Sequence, residues 1–528
     1  MQKLKNYIKM LLEESSTIQK QNSYAGWLVF CLLILVVPVS VRAQVKVHGG
    51  SHIDPKSTFY SVKLNGKEAF VHHYKVYEPA YHQMYNFISY VHFDMDGPVE
   101  IQVTFKDDIN PNSTWLSPLR KNIPYEINGR SLTFSIDTPQ KLILGINTEN
   151  DNNQNYEKEG ILAIIAMPVE QNIPDLSDPQ VLDVNDYPSP QDALDKCPKE
   201  GTVYFPKGIY RGQFEVKNSN TTIYLESGAN ILSHKTPLLI KDKDSVTIRG
   251  RGSLQTSFPS TSSVLEPRNS NYLTVEGIIL RMGGARLREN GVKVRGGGFA
   301  FVPHYCNYLK VNNIGIIRYP HGADGLDPDN CQHVVINDNI FLTGDDAICP
   351  KTMEEPYVPF LDFRIANNVV RNGQASGFKL GTHGFRDASG IVVDGLDMIH
   401  TGQFKFCDRG VESSFRSVHI KNATMEYAEK AIVQISAIDF METTKPFKGD
   451  IDITIENLTI YKTGKEDNKD EFAGLFLLAE PGYNCKITFI NLEVEGKKIG
   501  SLEDLVATGN LPEDKARIQN VEVVFLSM

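Results

Sequence analysis

The chain has too few cysteines, too little positive charge and too short an apolar run for several large classes of protein. Seven cysteines in 528 residues include no closely spaced pair of the zinc-binding kind, and a chain this long needs no disulfide stapling. Lysine and arginine number 54 against 64 aspartates and glutamates, a formal net charge of −10. A nucleic-acid binder needs the opposite balance to displace counterions from phosphate. The apolar run from Trp27 to Val41 is interrupted by Pro38 and falls short of the roughly 20 residues of a membrane span, so no stable membrane insertion is expected. Hydrophobic residues nevertheless make up 41% of the chain, enough for a substantial core, and that excludes wholesale disorder.

The apolar run has a different meaning. Lys3, Lys5, Lys9 and Lys20 precede it, and Val41-Arg-Ala-Gln44 closes it. A basic leader, a short apolar stretch and small residues before a cut describe a secretory signal peptide over residues 1–43. The mature protein is then expected to be secreted, periplasmic or extracellular. Cys31 lies in that leader. Export permits disulfides among Cys197, Cys306, Cys331, Cys349, Cys407 and Cys485, and buried free thiols are the equal alternative.

Two regions follow. Residues 44–178 read as an all-β domain of the sandwich type. Val99-Glu-Ile-Gln-Val-Thr-Phe105 alternates apolar and polar residues, as a strand with one buried face should. Ser131-Leu-Thr-Phe-Ser-Ile136 and Lys141-Leu-Ile-Leu-Gly-Ile146 read likewise, and Asn65-Gly66 and Asn128-Gly129 signal turns. A proline-marked linker (Pro168, Pro174, Pro179, Pro188) leads to one short helix over 189–196 with Ser189 as its N-cap.

Residues 179–528 carry a repeat of short Val- and Ile-rich strands, mostly followed by Asn, Asp or Gly. Instances begin at 222, 246, 273, 309, 334, 363, 391, 418, 453 and 487, spaced 24 to 36 residues apart. Such periods mean a solenoid. Helical repeats would need apolar residues at i, i+3, i+4 and i+7 over ten or more positions, and these clusters are too short. The pattern fits a right-handed parallel β-helix, with Asn at corners where it tolerates left-handed backbone and forms side-chain ladders.

The chemistry concentrates in His321-Gly-Ala-Asp-Gly-Leu-Asp-Pro-Asp-Asn-Cys331 and Leu342-Thr-Gly-Asp-Asp-Ala-Ile-Cys-Pro-Lys351. Asp324 and Asp345 are 21 residues apart, close to one coil, and neighbouring coils stack about 4.8 Å apart. The solenoid should therefore bring Asp324 onto the Asp345–Asp346 pair. Carboxylates so close raise one another's pKa, which suits glycoside hydrolysis: one stays protonated to donate, another ionises to activate water. Asp345 is expected as general acid, with Asp324 and Asp346 sharing the base role. Asp327 and Asp329, in an Asp-Pro-Asp turn, read as structural turn residues. No metal and no cofactor is expected.

These motifs resemble the polygalacturonase clan of glycoside hydrolases, families 28 and 49. Family 28 carries an Asn-Thr-Asp-Gly-Ile-Asp-Pro type motif and then Gly-Asp-Asp; here they read Gly322-Ala-Asp-Gly-Leu-Asp-Pro328 and Gly344-Asp-Asp346. Gly201-Thr-Val-Tyr-Phe-Pro-Lys-Gly-Ile-Tyr210 resembles that family's entry into the β-helix. The resemblance covers roughly residues 180 to 500 and implies the same roles for the three aspartates, an inverting mechanism and a polysaccharide substrate. Two departures bear on the substrate. Ser376 stands where family 28 has the histidine of Gly-His-Gly, leaving His383 as a nearby substitute, and the cationic pair that grips galacturonate is missing near Arg409 and Glu412. Family 49 places a β-sandwich before the β-helix and acts on neutral α-glucans, a similar layout. His383, Lys351, Lys379, Arg386 and Glu412 are the expected substrate contacts. Two other functions fit the same repeat: a polysaccharide lyase, with calcium on Asp345–Asp346 and Lys351 as base, and a non-catalytic glycan-binding solenoid.

Overall fold

The computed structural model describes residues 44–527, apart from 51–54, 79–83, 148–159, 258–259, 261, 283–287, 290–291, 294–298, 319–323, 373–374, 382–386, 400–402, 409–411, 429–430, 439–443, 464–473, 510 and 512–516. The leader expected over 1–43, and with it the cleavage after Ala43, lies outside the described residues, as do His383 and Arg386. Gln44–Met528 forms one compact unit.

The first part of that unit is two sheets. One is five-stranded and antiparallel, ordered Lys67–Ala69, Tyr60–Leu64, Val99–Phe105, Ser131–Ile136, Tyr125–Asn128. Its alternation is the sequence's own: in Val99–Phe105 every second residue from Val99 is buried. Asn65 and Gly66, both at positive φ, make the two-residue hairpin turn whose twist matches the strands it joins. The other sheet is six-stranded, built on Met84–Met95, Gly160–Pro168 and Lys141–Ile146. Lys141–Ile146 departs from the one-face expectation, because all six of its residues are buried. Ile143 and Ile165 pack with Ile279, Ile317, Ile340, Leu342 and Val369 of the solenoid, so this sheet is covered on its second face as well.

A short helix, Pro190–Lys196, is capped by the Ser189 side chain, which accepts from the Asp192 N–H. It buries Ala193 and Leu194 over the first coil. From Val181 the chain winds as a parallel β-helix. The apolar triplets of the repeat stack in register: Val275 on Val311, then Ile336, Ile365, Val393, Ile420, Ile455 and Phe489. A second series runs through Ile231, Leu254, Leu280, Ile316 and Phe341. A third series, at first only single bridges, runs Leu238, Leu265, Phe301, Leu326, Ile348, Phe378, and becomes full strands at Ser376–Gly381, Gln403–Asp408, Val433–Ile438 and Leu475–Leu478. Three inward series fill one continuous core. At the far end the helix Leu502–Ala507 lays Leu505 on it.

The corner between the first two series carries Asn313, Asp338, Asn367, Asn422, Asn457 and Asn491, all left-handed. Asn491 donates to Asn457, Asn457 to Asn422 and Asn422 to Asp394, at 2.8–3.0 Å. Six cysteines, Cys197, Cys306, Cys331, Cys349, Cys407 and Cys485, are buried free thiols, which decides between the two readings left open by export. Among the described residues no helix is long and apolar enough to cross a membrane.

Candidate active site

The third series positions the carboxylates. Leu326, Ile348 and Phe378 point inward in register, and the residues after them, Asp327, Cys349 and Lys379, form a row on successive coils. Lys405 extends this row, since it pairs with Lys379. A second row is Arg268, His304, Asp329 and Lys351. Just before these rows the Gly325 N–H donates to the Asp346 carbonyl, and the Ala347 N–H to that of Ser376, which brings Asp324, Asp346 and Ser376 side by side. Gly325 is required for this approach: a Cβ there would meet the Ala347 oxygen at 2.4 Å.

Asp324, Asp345 and Asp346 each place a carboxylate oxygen within 4.8 Å of the others. Asp324 and Asp346 are buried and Asp345 is half-buried, so Asp345 is the most accessible of the three. Two lysines balance the charge. Lys351 contacts Asp324 and donates to Asp327 at 2.9 Å. Lys379 donates to Asp346 at 2.6 Å, and the Ser376 N–H donates to the other Asp346 oxygen at 3.0 Å. Among the described residues no ion pair holds Asp345; one of its oxygens accepts from the Asp346 N–H at 3.0 Å.

The protonation states follow. Burial, together with the neighbouring charges of Asp324 and Asp346, pushes the Asp345 carboxyl up to about 7. Burial would raise Asp346 too, but the Lys379 and Lys351 ammoniums outweigh it and hold that carboxyl well below the usual range. Burial lifts Asp327 well above its ordinary value, with Lys351 opposing. Both lysines are held above theirs: burial works against their charge, but the aspartates they touch prevail. Adjacent carboxylates thus take opposite states near neutrality, one protonated and one ionised, the division that acid–base chemistry needs.

The structure relocates several expected residues. Lys351, buried, and Lys379, half-buried, reach the cluster as counter-charges engaged with aspartates and not as open substrate contacts. Asp327, read as a turn residue, is fully buried beneath Lys351. Asp329 is likewise buried, with His304 Nδ1 at 2.6 Å. Glu412 is not brought to the cluster; it is exposed, and its charge acts on Tyr483. Ser376 holds Asp346 through its backbone, and its buried hydroxyl has no hydrogen-bond partner among the described residues.

Three features were missed in the sequence. Lys405 is half-buried on the wall, close enough to act on Asp346, and no ion pair holds it among the described residues. The alternation Phe404-Lys405-Phe406 was the available signal, since its two phenylalanines face inward. Phe299 lies with its ring 4.1 Å from the Lys351 ammonium; nothing in its surroundings marks it. His304 sits between Asp329 and Glu266, and although burial opposes its charge, Asp329 and Glu266 raise it to about 9.

Two clusters among the described residues bring three metal-ligating side chains together: the three aspartates, and His48, His92 and Asp94 in the sandwich. Both already contain cations. Lys351 and Lys379 lie against the first, and the Arg251 guanidinium donates to Asp94 at 2.7 Å in the second. A divalent ion would have to displace or tolerate these charges, so neither residue set fits one well.

No family model matches the sequence, and no curated protein matches it. Solved structures do. Dex49A from Penicillium minioluteum superposes with a TM-score of 0.53 at 12% identity, over 91% of this chain and 96% of that one. A hyperthermoactive exopolygalacturonase from Thermotoga maritima gives 0.46 at 12% identity, over 62% of this chain and 94% of that one. The catalytic domain of a GH87 alpha-1,3-glucanase in complex with nigerose gives 0.45 at 13%, over 91% and 88%. At such identities the likeness is one of fold. The chain has a right-handed parallel β-helix preceded by a β-sandwich.

Proposed function

We propose that this protein is a secreted glycoside hydrolase that cleaves a polysaccharide, with Asp345 as general acid and Asp346, supported by Asp324, as the base that activates water. The observation that carries the reading is the pair of adjacent carboxyls driven apart, Asp345 up to about 7 and Asp346 well down. Lys351 and Lys379 keep Asp324 and Asp346 in place, and Lys405 and Phe299 are offered as substrate contacts in their stead. Secretion rests on the leader at 1–43, and residues 44–178 and 179–528 are proposed as the bracing and catalytic domains. A lyase is disfavoured: it needs a basic side chain able to lose its proton, and Lys351 is held charged by Asp324 and Asp327. Inversion at the anomeric carbon rests on the family resemblance.

The test is incubation of residues 44–528 with dextran, pullulan, polygalacturonate, rhamnogalacturonan, carrageenan and agarose, with Asp345→Asn in parallel. New reducing ends without an unsaturated product, lost by about 10²–10⁴-fold in the variant, are expected. The anomer first released, read by proton NMR, decides between inversion and retention. An absorbing unsaturated product would establish a lyase, and equal turnover by the variant would remove Asp345 from the mechanism.

A further inference from the structure

The corner that leads into the first strand series is left-handed on nine coils, at Glu200, Asn220, Ser245, Tyr272, Tyr308, His333, Asp362, Gly390 and Ser417. Small or polar residues are what this conformation tolerates; bulky side chains are disfavoured there. Yet three consecutive coils place an aromatic ring at it. Tyr272 and Tyr308 are 57% and 46% exposed, so burial does not compensate the unfavourable backbone. The rings form a ladder. Tyr272 stacks on Tyr308 at 4.7 Å and 5°, and Tyr308 on His333 at 4.7 Å and 9°. At one end His333 bonds Asp362 on the next coil. At the other end the ladder stops short: the preceding coil has Ser245, whose N–H donates to the Asn271 carbonyl, and no ring continues the stack over it among the described residues. The outer face of Tyr272 is therefore open above a shelf one coil deep. Asp244 stands beside that shelf, exposed, with one carboxylate oxygen fixed by the Asn271 N–H at 2.8 Å and its own N–H fixed by the Ser219 hydroxyl at 3.0 Å.

An open aromatic face beside a pre-oriented carboxylate is what a pyranose needs: its C–H face lies on the ring and its hydroxyls donate to the acid. We propose that the Tyr272 face, over Ser245 and beside Asp244, is a second carbohydrate-binding site that takes one sugar ring of a polysaccharide chain outside the acid-bearing wall. The choice of a sugar rests on the hydrolase reading given above. The ladder beneath Tyr272 holds the ring rigid, so little freedom is lost on binding.

The test reads adsorption separately from hydrolysis. The whole protein, Tyr272→Asn, and Tyr272→Asn with Tyr308→Asn are run through gels containing each polysaccharide of the panel, and their turnover of short oligosaccharides is measured alongside. Asn tolerates the left-handed corner, so melting should stay level or rise, which excludes misfolding as the cause of any loss. The expected result is retardation of the parent by at least one polysaccharide, weakened about 5- to 10-fold in Tyr272→Asn, with oligosaccharide turnover unchanged. Equal retardation of parent and variants, or no retardation of the parent by any glycan, would overturn the site. Retardation that depends on Tyr272 without any hydrolysis would keep the site and sink the hydrolase reading instead.

Discussion

Asp345 and Asp346 are neighbours in sequence and opposites in environment, and the difference is how closely the ammoniums approach. Lys379 lies 2.6 Å from Asp346, while among the described residues no ion pair holds Asp345 and the charges of Asp324 and Asp346 act against its ionisation. The pH dependence follows with a definite sign. The acid must be protonated, so kcat/KM should fall as pH rises through about 7, the Asp345 value. The base must be ionised, and Asp346 is held so far down that the acid limb should lie below the ordinary carboxylate range. Lys379→Met removes the principal cation holding Asp346 ionised. Its acid limb should then move toward neutrality, narrowing the profile from below, while the alkaline limb moves little or upward because Lys379 also opposes the rise of Asp345. A pH series of kcat/KM on the parent and Lys379→Met checks both limbs. An unmoved acid limb would mean that Asp346 is not the base.

At the scale of the element, stacked coils deliver the site, and their close approach depends on a glycine. Gly325 lets Asp324 approach Asp346 because a Cβ would stand 2.4 Å from the Ala347 oxygen, and backbone cannot yield as the end of a side chain can. Gly325→Ala should therefore push the two coils apart locally, costing about 1–3 kcal/mol as overpacking does, and should lower turnover more than binding. A calorimetric melt with kinetics checks this, and a variant as stable and active as the parent would refute the close-approach argument. The coils themselves were legible. Val- and Ile-rich triplets recur at solenoid spacing, and the 21-residue interval places Asp324 one coil from Asp345. Lys351 and Lys379 could be chosen from sequence but not assigned, because an outward lysine looks the same whether it meets solvent or a carboxylate on the next coil. Asp327 was illegible for a related reason: an Asp-Pro-Asp turn does not say which aspartate turns into the wall. In Lys141–Ile146 the tertiary contact with the solenoid overrode the one-face pattern.

Across the whole molecule, that same contact carries buried charge as well as apolar surface. Lys141 donates to Asn313, Arg120 to Asp397, and Arg251 to Asp94, each pair joining the sandwich to a different coil. Glu426 is the most consequential member: buried on the solenoid, it accepts from the Ser117 hydroxyl and from the Leu119 N–H of the sandwich. Burial pushes its carboxyl up to about 7, with those two donors opposing. A folded value above the unfolded one means that the folded state binds the proton more tightly. The stability this group contributes is full below the ordinary glutamate range, declines as pH climbs, and is lost once pH passes about 7, a change of roughly 3 kcal/mol at about 1.4 kcal/mol per unit. Glu426→Gln keeps the shape and cannot ionise, so denaturation of the variant should weaken less between pH 5 and 8 than that of the parent. Asp345 titrates in the same window but in both proteins, so the difference between their curves isolates Glu426. Parallel curves would show that the carboxylate is already ionised in the joint, with its two donors outweighing burial.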